Sequence, residues 1–163
     1  MVPALCAGFC MVELDTETGA FEIKEYLGVA DCGTVLHPAG LQSQMHGGAM
    51  MGFGLATTER IVYDHQLGLP ANVQFDQSKP PTYLDMPKSF KWSAAEKPDR
   101  DNPVGVKGIG EPIQGAAAAA LINAISDALG GHYFHRTPVV RDMIVNALAK
   151  RPQSYRPLQA NTM

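Results

Sequence analysis

The sequence predicts an α+β domain, a mixed sheet opened by a β-hairpin and backed by two to three packed helices. Three observations lead there. An alternating apolar and polar run near the N-terminus breaks at Thr18-Gly19 and then resumes, as two strands joined by a tight loop would. Residues 114–129 place apolar side chains at helical spacing, and Pro38 stands where a second helix would begin. No internal repeat or linker divides the chain, so one unit is the simplest organisation.

Each element has a local reason. Residues 9–16 and 20–30 form the hairpin, with Thr-Glu-Thr-Gly as its loop. Asp31 to Pro38 is a loop leading into a helix over 38–57. Residues 59–63 read as a strand and Asp64–Pro70 as a turn. The stretch 72–92 is extended, punctuated by Pro80, Pro81 and Pro87, and closes in Ser-Phe-Lys-Trp, which alternates like a strand. Residues 93–113 hold few apolar side chains and read as a long loop, a kind of segment that is usually functional or disordered. The helix at 114–129 carries Leu121, Ile122, Ile125 and Leu129 and ends at Gly130-Gly131. A last helix, 138–149, begins at Pro138 with Met143, Ile144 and Leu148 on its apolar side. The domain therefore spans 1–150, and 151–163 is a loose tail.

Composition narrows the function. At 163 residues, 45% hydrophobic and 18% charged, the chain has the profile of one folded domain. A net charge of −3 without a Lys or Arg block argues against a nucleic-acid partner. The apolar stretches are too short or too interrupted to span a membrane, and no basic region precedes the first one, so the expected location is the cytoplasm. Cys6, Cys10 and Cys32 match no zinc spacing and read as reduced, packed side chains. Met45, Met50 and Met51 read as fillers of a core gap. No Cys or His cluster is expected to hold a metal.

Two segments carry chemistry. The helix at 38–57 contains Gly40, Gly47, Gly48, Gly52 and Gly54, although each interior glycine costs about 0.5–1 kcal/mol relative to alanine. Something must approach that backbone closely, either another helix or a ligand. The second segment is Pro-Val-Gly-Val-Lys-Gly-Ile-Gly-Glu-Pro-Ile-Gln-Gly at 103–115. Its glycines free the backbone to approach a bulky ligand, and Glu111 stands immediately before a helix, at its positive end. A solvated first-turn glutamate fits the same facts. Lys107 is not followed by the Ser or Thr of a Walker loop, though an unrelated anion remains a candidate ligand.

Lys-Gly-Ile-Gly-Glu-Pro before an Ala-rich helix resembles the closing active-site motif of the large subunit of the xanthine dehydrogenase and aldehyde oxidase family. A second segment agrees in order: His37-Pro38, Gln44, Gly47-Gly48 and Gly52-Phe53-Gly54 are similar to the family's glycine-rich helix, with His37 where asparagine is common. Val-Ala-Asp-Cys-Gly after the hairpin and Thr82, Asp85 and Pro87 also fit. The resemblance covers about residues 8–148 and implies the C-terminal part of the family's molybdopterin-binding domain.

What the resemblance implies is a molybdenum hydroxylase. Glu111 matches the family's general base, which activates the water-derived oxygen that enters an electron-poor carbon. Gln44 matches the glutamine that contacts the pterin, with Gly47 beside it, and the backbone of Gly108, Ile109 and Gly110 passes near the cofactor. Lys107 is as well explained by pairing with an acidic neighbour. The implied cofactor is molybdopterin, in its cytosine dinucleotide form, with iron–sulfur clusters and FAD on partner subunits. The implied partners are a longer molybdenum-binding chain, an iron–sulfur subunit, a flavin subunit and a small-molecule substrate. A non-catalytic assembly or remnant subunit of such a complex is the alternative.

Overall fold

The computed structural model describes residues 4–153, so most of the expected tail lies outside the described residues. The chain builds β1 (Cys6–Leu14), β2 (Phe21–Ala30), α1 (Pro38–Thr57), α2 (Phe75–Ser78), β3 (Ser89–Ala94), α3 (Pro112–Ala128) and α4 (Arg141–Leu148). The sheet runs β1-β2-β3 and is mixed: β1 pairs antiparallel with β2, and β2 pairs parallel with β3.

The hairpin turns where expected. Asp15 accepts from the Glu17 backbone N–H at 2.8 Å and from the Thr18 hydroxyl at 2.7 Å. Gly19 supplies the positive φ of 68° that the loop requires. Alternation then points Cys6, Gly8, Cys10 and Val12 inward, towards the helices, and Ala7, Phe9 and Met11 outward.

Both long helices lie on that inner face. α1 buries Leu41, Met45, Ala49, Phe53 and Ala56, and α3 buries Ile113, Ala117, Leu121 and Ile125. Their spacing of three and four residues puts each set on one helical stripe. A Cβ at Gly52 would run into the Gln114 carbonyl, and one at Gly48 into Ile113, so these two glycines admit α3 against α1. Gly8 does the same on the sheet, where a Cβ would come within 2.8 Å of the Ala116 carbonyl. Close packing thus explains part of the glycine density in α1.

Tyr26 is fully buried and meets Phe53 and Phe90 edge-on, with ring centroids 5.1 and 5.5 Å away. Among the described residues its hydroxyl has no hydrogen-bond partner. An unsatisfied buried hydroxyl is costly, so Tyr26→Phe should raise stability by about 1 kcal/mol. A thermal melt of the purified protein checks this, and a lowered midpoint would count against it.

Four expectations need correction. Residues 59–63 are not a strand; only Tyr63 bridges, to Pro70. The segment closes on itself because the Asn72 amide accepts from the Val62 N–H at 2.7 Å and donates to the Arg60 carbonyl at 2.6 Å. The stretch 72–92 is not wholly extended, since it holds α2 and a 3₁₀ turn at Tyr83–Asp85. Thr82 and Asp85 form a reciprocal cap on that turn, a structural task for residues that the resemblance had singled out. The last helix begins at Arg141, not Pro138, because the Val139 N–H is bonded to the Ala56 carbonyl at 2.7 Å, docking the chain on the end of α1. Of the methionines, Met45 is buried and Met50 packs on the core, but Met51 is 48% exposed.

Candidate active site

The entry to α1 decides one end of the site. His37 caps the helix: its Nδ1 accepts from the Gly40 N–H at 2.7 Å, and Pro38 occupies the first turn. An imidazole nitrogen therefore does what a capping asparagine oxygen would do, and the helix start keeps its hydrogen bond. Gln44 and Gly47 follow on the exposed side of α1.

The loop 103–111 forms the other end. Gly105 has a φ of +72°, and its carbonyl accepts from the Thr34 N–H at 2.8 Å and the Asp99 N–H at 2.9 Å. This glycine serves the backbone, not a ligand. The Lys107 N–H reaches the Cys32 carbonyl at 2.8 Å, and its ammonium pairs with Asp31 at 2.5 Å. That ion pair answers the question left open for Lys107, and the ammonium holds the Asp31 carboxyl below its usual range. Ile109 then tucks against the core cluster of Ala30, Cys32, Leu41, Met45 and Ile113.

Helix and loop meet in a cleft of about 350 Å³. Its walls include Gln44 and Leu41 from α1, Cys32 and Val35 from the segment after β2, and Val106, Lys107 and Ile109 from the loop. Gly110 passes over α1, its carbonyl 3.6 Å from where a Cβ on Gly48 would sit. At Gly47, Gly108 and Gly110 an added Cβ would meet nothing within 4 Å, so these positions face open space. Glu111 is exposed at the N-cap of α3 and makes no side-chain capping bond. It does not line the cleft itself but stands two residues beyond Ile109.

Other titratable groups sit apart from this arrangement. His46 lies at ring-stacking distance from Phe90, 4.2 Å between centroids; burial lowers its pKa against the opposing pull of the Phe90 backbone. Burial pushes the Cys10 thiol up to about 11. Among the described residues, no three His, Cys, Asp or Glu side chains gather to hold a metal ion. No helix among them is long and apolar enough to cross a membrane.

Sequence reasoning found the helix and the loop but missed the wall between them. Residues 32–36 carry no polar motif of their own; the faint signal was Val-Ala-Asp-Cys-Gly at the end of β2. A second cleft, of about 400 Å³, lies between Phe21, Thr57, Leu84 and Arg141; neither Gln44 nor any residue of the loop 103–111 lines it.

The fold is of the α+β class, with the first cleft set between its glycine-rich helix and its glycine-rich loop. Residues 2–87 match the molybdopterin cofactor-binding domain, and the chain belongs to that family. It is similar to the nicotine 6-hydroxylase large subunit of Paenarthrobacter nicotinovorans, 32% identical over 84% of this chain and 17% of that subunit. It is also similar to the carbon monoxide dehydrogenase large chain of Afipia carboxidovorans, 31% identical over 75% of this chain and 15% of the other. The crystal structure of quinoline 2-oxidoreductase from Pseudomonas putida 86 superimposes with a TM-score of 0.77 at 30% identity, covering 86% of this chain and 18% of that one. The chain thus spans less than a fifth of the length of these relatives.

Proposed function

We propose that this chain supplies the base, Glu111, and part of the pterin pocket of a molybdenum-dependent hydroxylase. The observation that carries the reading is one cleft lined both by Gln44 of α1 and by the loop that ends in Glu111. The donor set suits a pterin. The Gln44 amide offers a donor and an acceptor to a flat heterocycle edge. Glycines with open space at 47, 108 and 110 allow such a ligand close to the backbone.

Gln44 and the backbone of 108–110 would hold the molybdopterin cofactor, whose molybdenum would supply two-electron redox chemistry. The chain's own part is proton handling and placement. Glu111 has an exposed carboxylate uncommitted to capping, directly before a 17-residue helix that fixes its backbone, and it serves as the base. Gln44 orients the cofactor edge, and Ile109 holds the loop on the core. The substrate is an aldehyde, an N-heterocycle or a similar electron-poor carbon.

The reading extends to assembly. A longer molybdenum-binding chain completes the pocket, and electrons leave through iron–sulfur and flavin subunits in the cytoplasm. The cofactor is the cytosine dinucleotide form. Residues 1–150 act as the cofactor-binding subdomain. Exposed Phe9 and Met11, on the sheet face away from the helices, fit a chain that works against a partner.

Molybdenum and pterin content of the purified complex tests the proposal. Stoichiometric amounts of both are expected, and their absence from an intact complex would refute it. Gln44→Ala should lose hydrogen bonds worth about 0.5–1.5 kcal/mol each, weakening cofactor retention by roughly 2- to 13-fold per bond without loss of fold. Unchanged retention and turnover would mean that Gln44 does not touch the cofactor.

A further inference from the structure

We propose that Asp31 and Lys107 are a positioning pair, whose ion pair staples the loop 103–111 to the end of β2 and thereby sets the pose of Glu111. The inference rests on the assignment of Glu111 as the base.

Four residues separate Lys107 from the start of α3, and two of them, Gly108 and Gly110, meet nothing where a side chain would be. A glycine-rich span of that kind keeps one geometry only if both ends are held. The far end is held by Pro112 in the first turn of α3 and by Ile113, which is fully buried. The near end is held at Lys107. There Asn102 and the Asp99 N–H tie residues 105 and 106 within their own loop, and the backbone joins that loop to the segment after β2 through one bridge, Gly33 to Val106, made by the bonds from the Lys107 N–H to Cys32 and from the Thr34 N–H to Gly105. An isolated bridge specifies register weakly, and a slip by one residue would turn the side chains over.

The ion pair removes that freedom. Lys107 Nζ lies 2.5 Å from Asp31 Oδ2, and their side chains are only 11% and 25% exposed, so water and salt screen the pair less than a surface bridge. The other carboxylate oxygen, Oδ1, is buried, and besides Lys107 the carboxylate feels the Gly33 backbone N–H and the charge of Lys97. Lys107 is the strongest of these influences, and removing it takes from a partly buried charge its hydrogen-bonded cation. The pair spans 76 residues of sequence and joins the two segments that wall the cleft, 32–36 and 106–109. It stands two residues from Ile109 and four from Glu111. Nothing about it requires contact with the reacting atoms. Its effect reaches the chemistry through the loop.

The test compares Lys107→Met, Asp31→Asn and Lys107→Arg in the holoenzyme, with turnover normalised to molybdenum. Hydrogen exchange of residues 103–111 is measured alongside that of the hairpin at 9–25. Both disruptive variants should lower kcat by about 10- to 100-fold with little change in KM, the scale of loss expected from misplacing a catalytic group by about an ångström. Exchange over 103–111 should rise about tenfold or more while the hairpin is unchanged. Lys107→Arg, which keeps the charge, should restore both. Unaltered exchange, or a loosened loop with wild-type kcat, would overturn the proposal. Asp31→Asn preserves shape and carries the test if Lys107→Met fails to fold. A Glu111→Gln control separates the failures: full activity there sinks the base assignment, whereas the exchange measurement answers for the staple alone.

Discussion

Gly52→Leu is expected to pry α1 from α3 and cost the protein a large fraction of its stability. A Cβ at this position would collide with the Gln114 carbonyl, and it would lie 2.9 Å from the Ala117 Cβ and 3.0 Å from the Ala118 nitrogen. Two of those three neighbours are backbone atoms of a helix and have no rotamer with which to move aside. Overpacking a tight core typically costs about 1–3 kcal/mol, and a whole leucine against helical backbone belongs at or above the top of that range. A domain whose total stability is roughly 5–15 kcal/mol loses a large fraction of it. Gly47 makes the contrast. An added methyl there meets nothing, so Gly47→Ala should stabilise α1 by about 0.5–1 kcal/mol. If Gly47 faces the cofactor, the same substitution should reduce molybdenum content in the assembled enzyme. Melting curves of the two variants check the packing argument. Equal midpoints would mean that the glycines of α1 are not divided between a packed side and an open one.

That division was only half legible in the sequence. Glycine density announced close approach but not its direction, because five glycines in one helix lie on several faces and only the folded partner says which are covered. The hairpin, α1, α3 and the long loop before α3 could be read because their signals are local: alternation, Pro38 at a helix start, alanines ended by Gly130-Gly131. Ile61-Val62-Tyr63 misled because β-branched and aromatic residues favour strands in general, whereas here Asn72 satisfies the backbone and leaves those side chains exposed. β3 was recognisable from its alternation, but its parallel pairing with β2 was not, since parallel neighbours share no turn. At the site, Gln44 and the loop to Glu111 could be named from their motifs. The cleft wall at 32–36 and the Asp31 partner of Lys107 could not, because a contact across 76 residues leaves no periodic trace.

The largest effect is expected at Glu111. Glu111→Gln keeps the side chain's size and polarity and removes its capacity to accept a proton. General-base catalysis typically contributes 10²–10⁴-fold, or about 3–5 kcal/mol of barrier at 1.36 kcal/mol per decade. The fold should be untouched, since Glu111 is exposed, makes no capping bond and packs in neither core cluster. Cofactor binding should also persist, because Gln44 and the backbone of 108–110 are the groups assigned to the pterin. Turnover and molybdenum content of the assembled Glu111→Gln enzyme, measured on one sample, therefore test the central claim most directly. Turnover should fall by at least about 10²-fold with molybdenum near the wild-type level. Near-normal turnover at full metal content would contradict it.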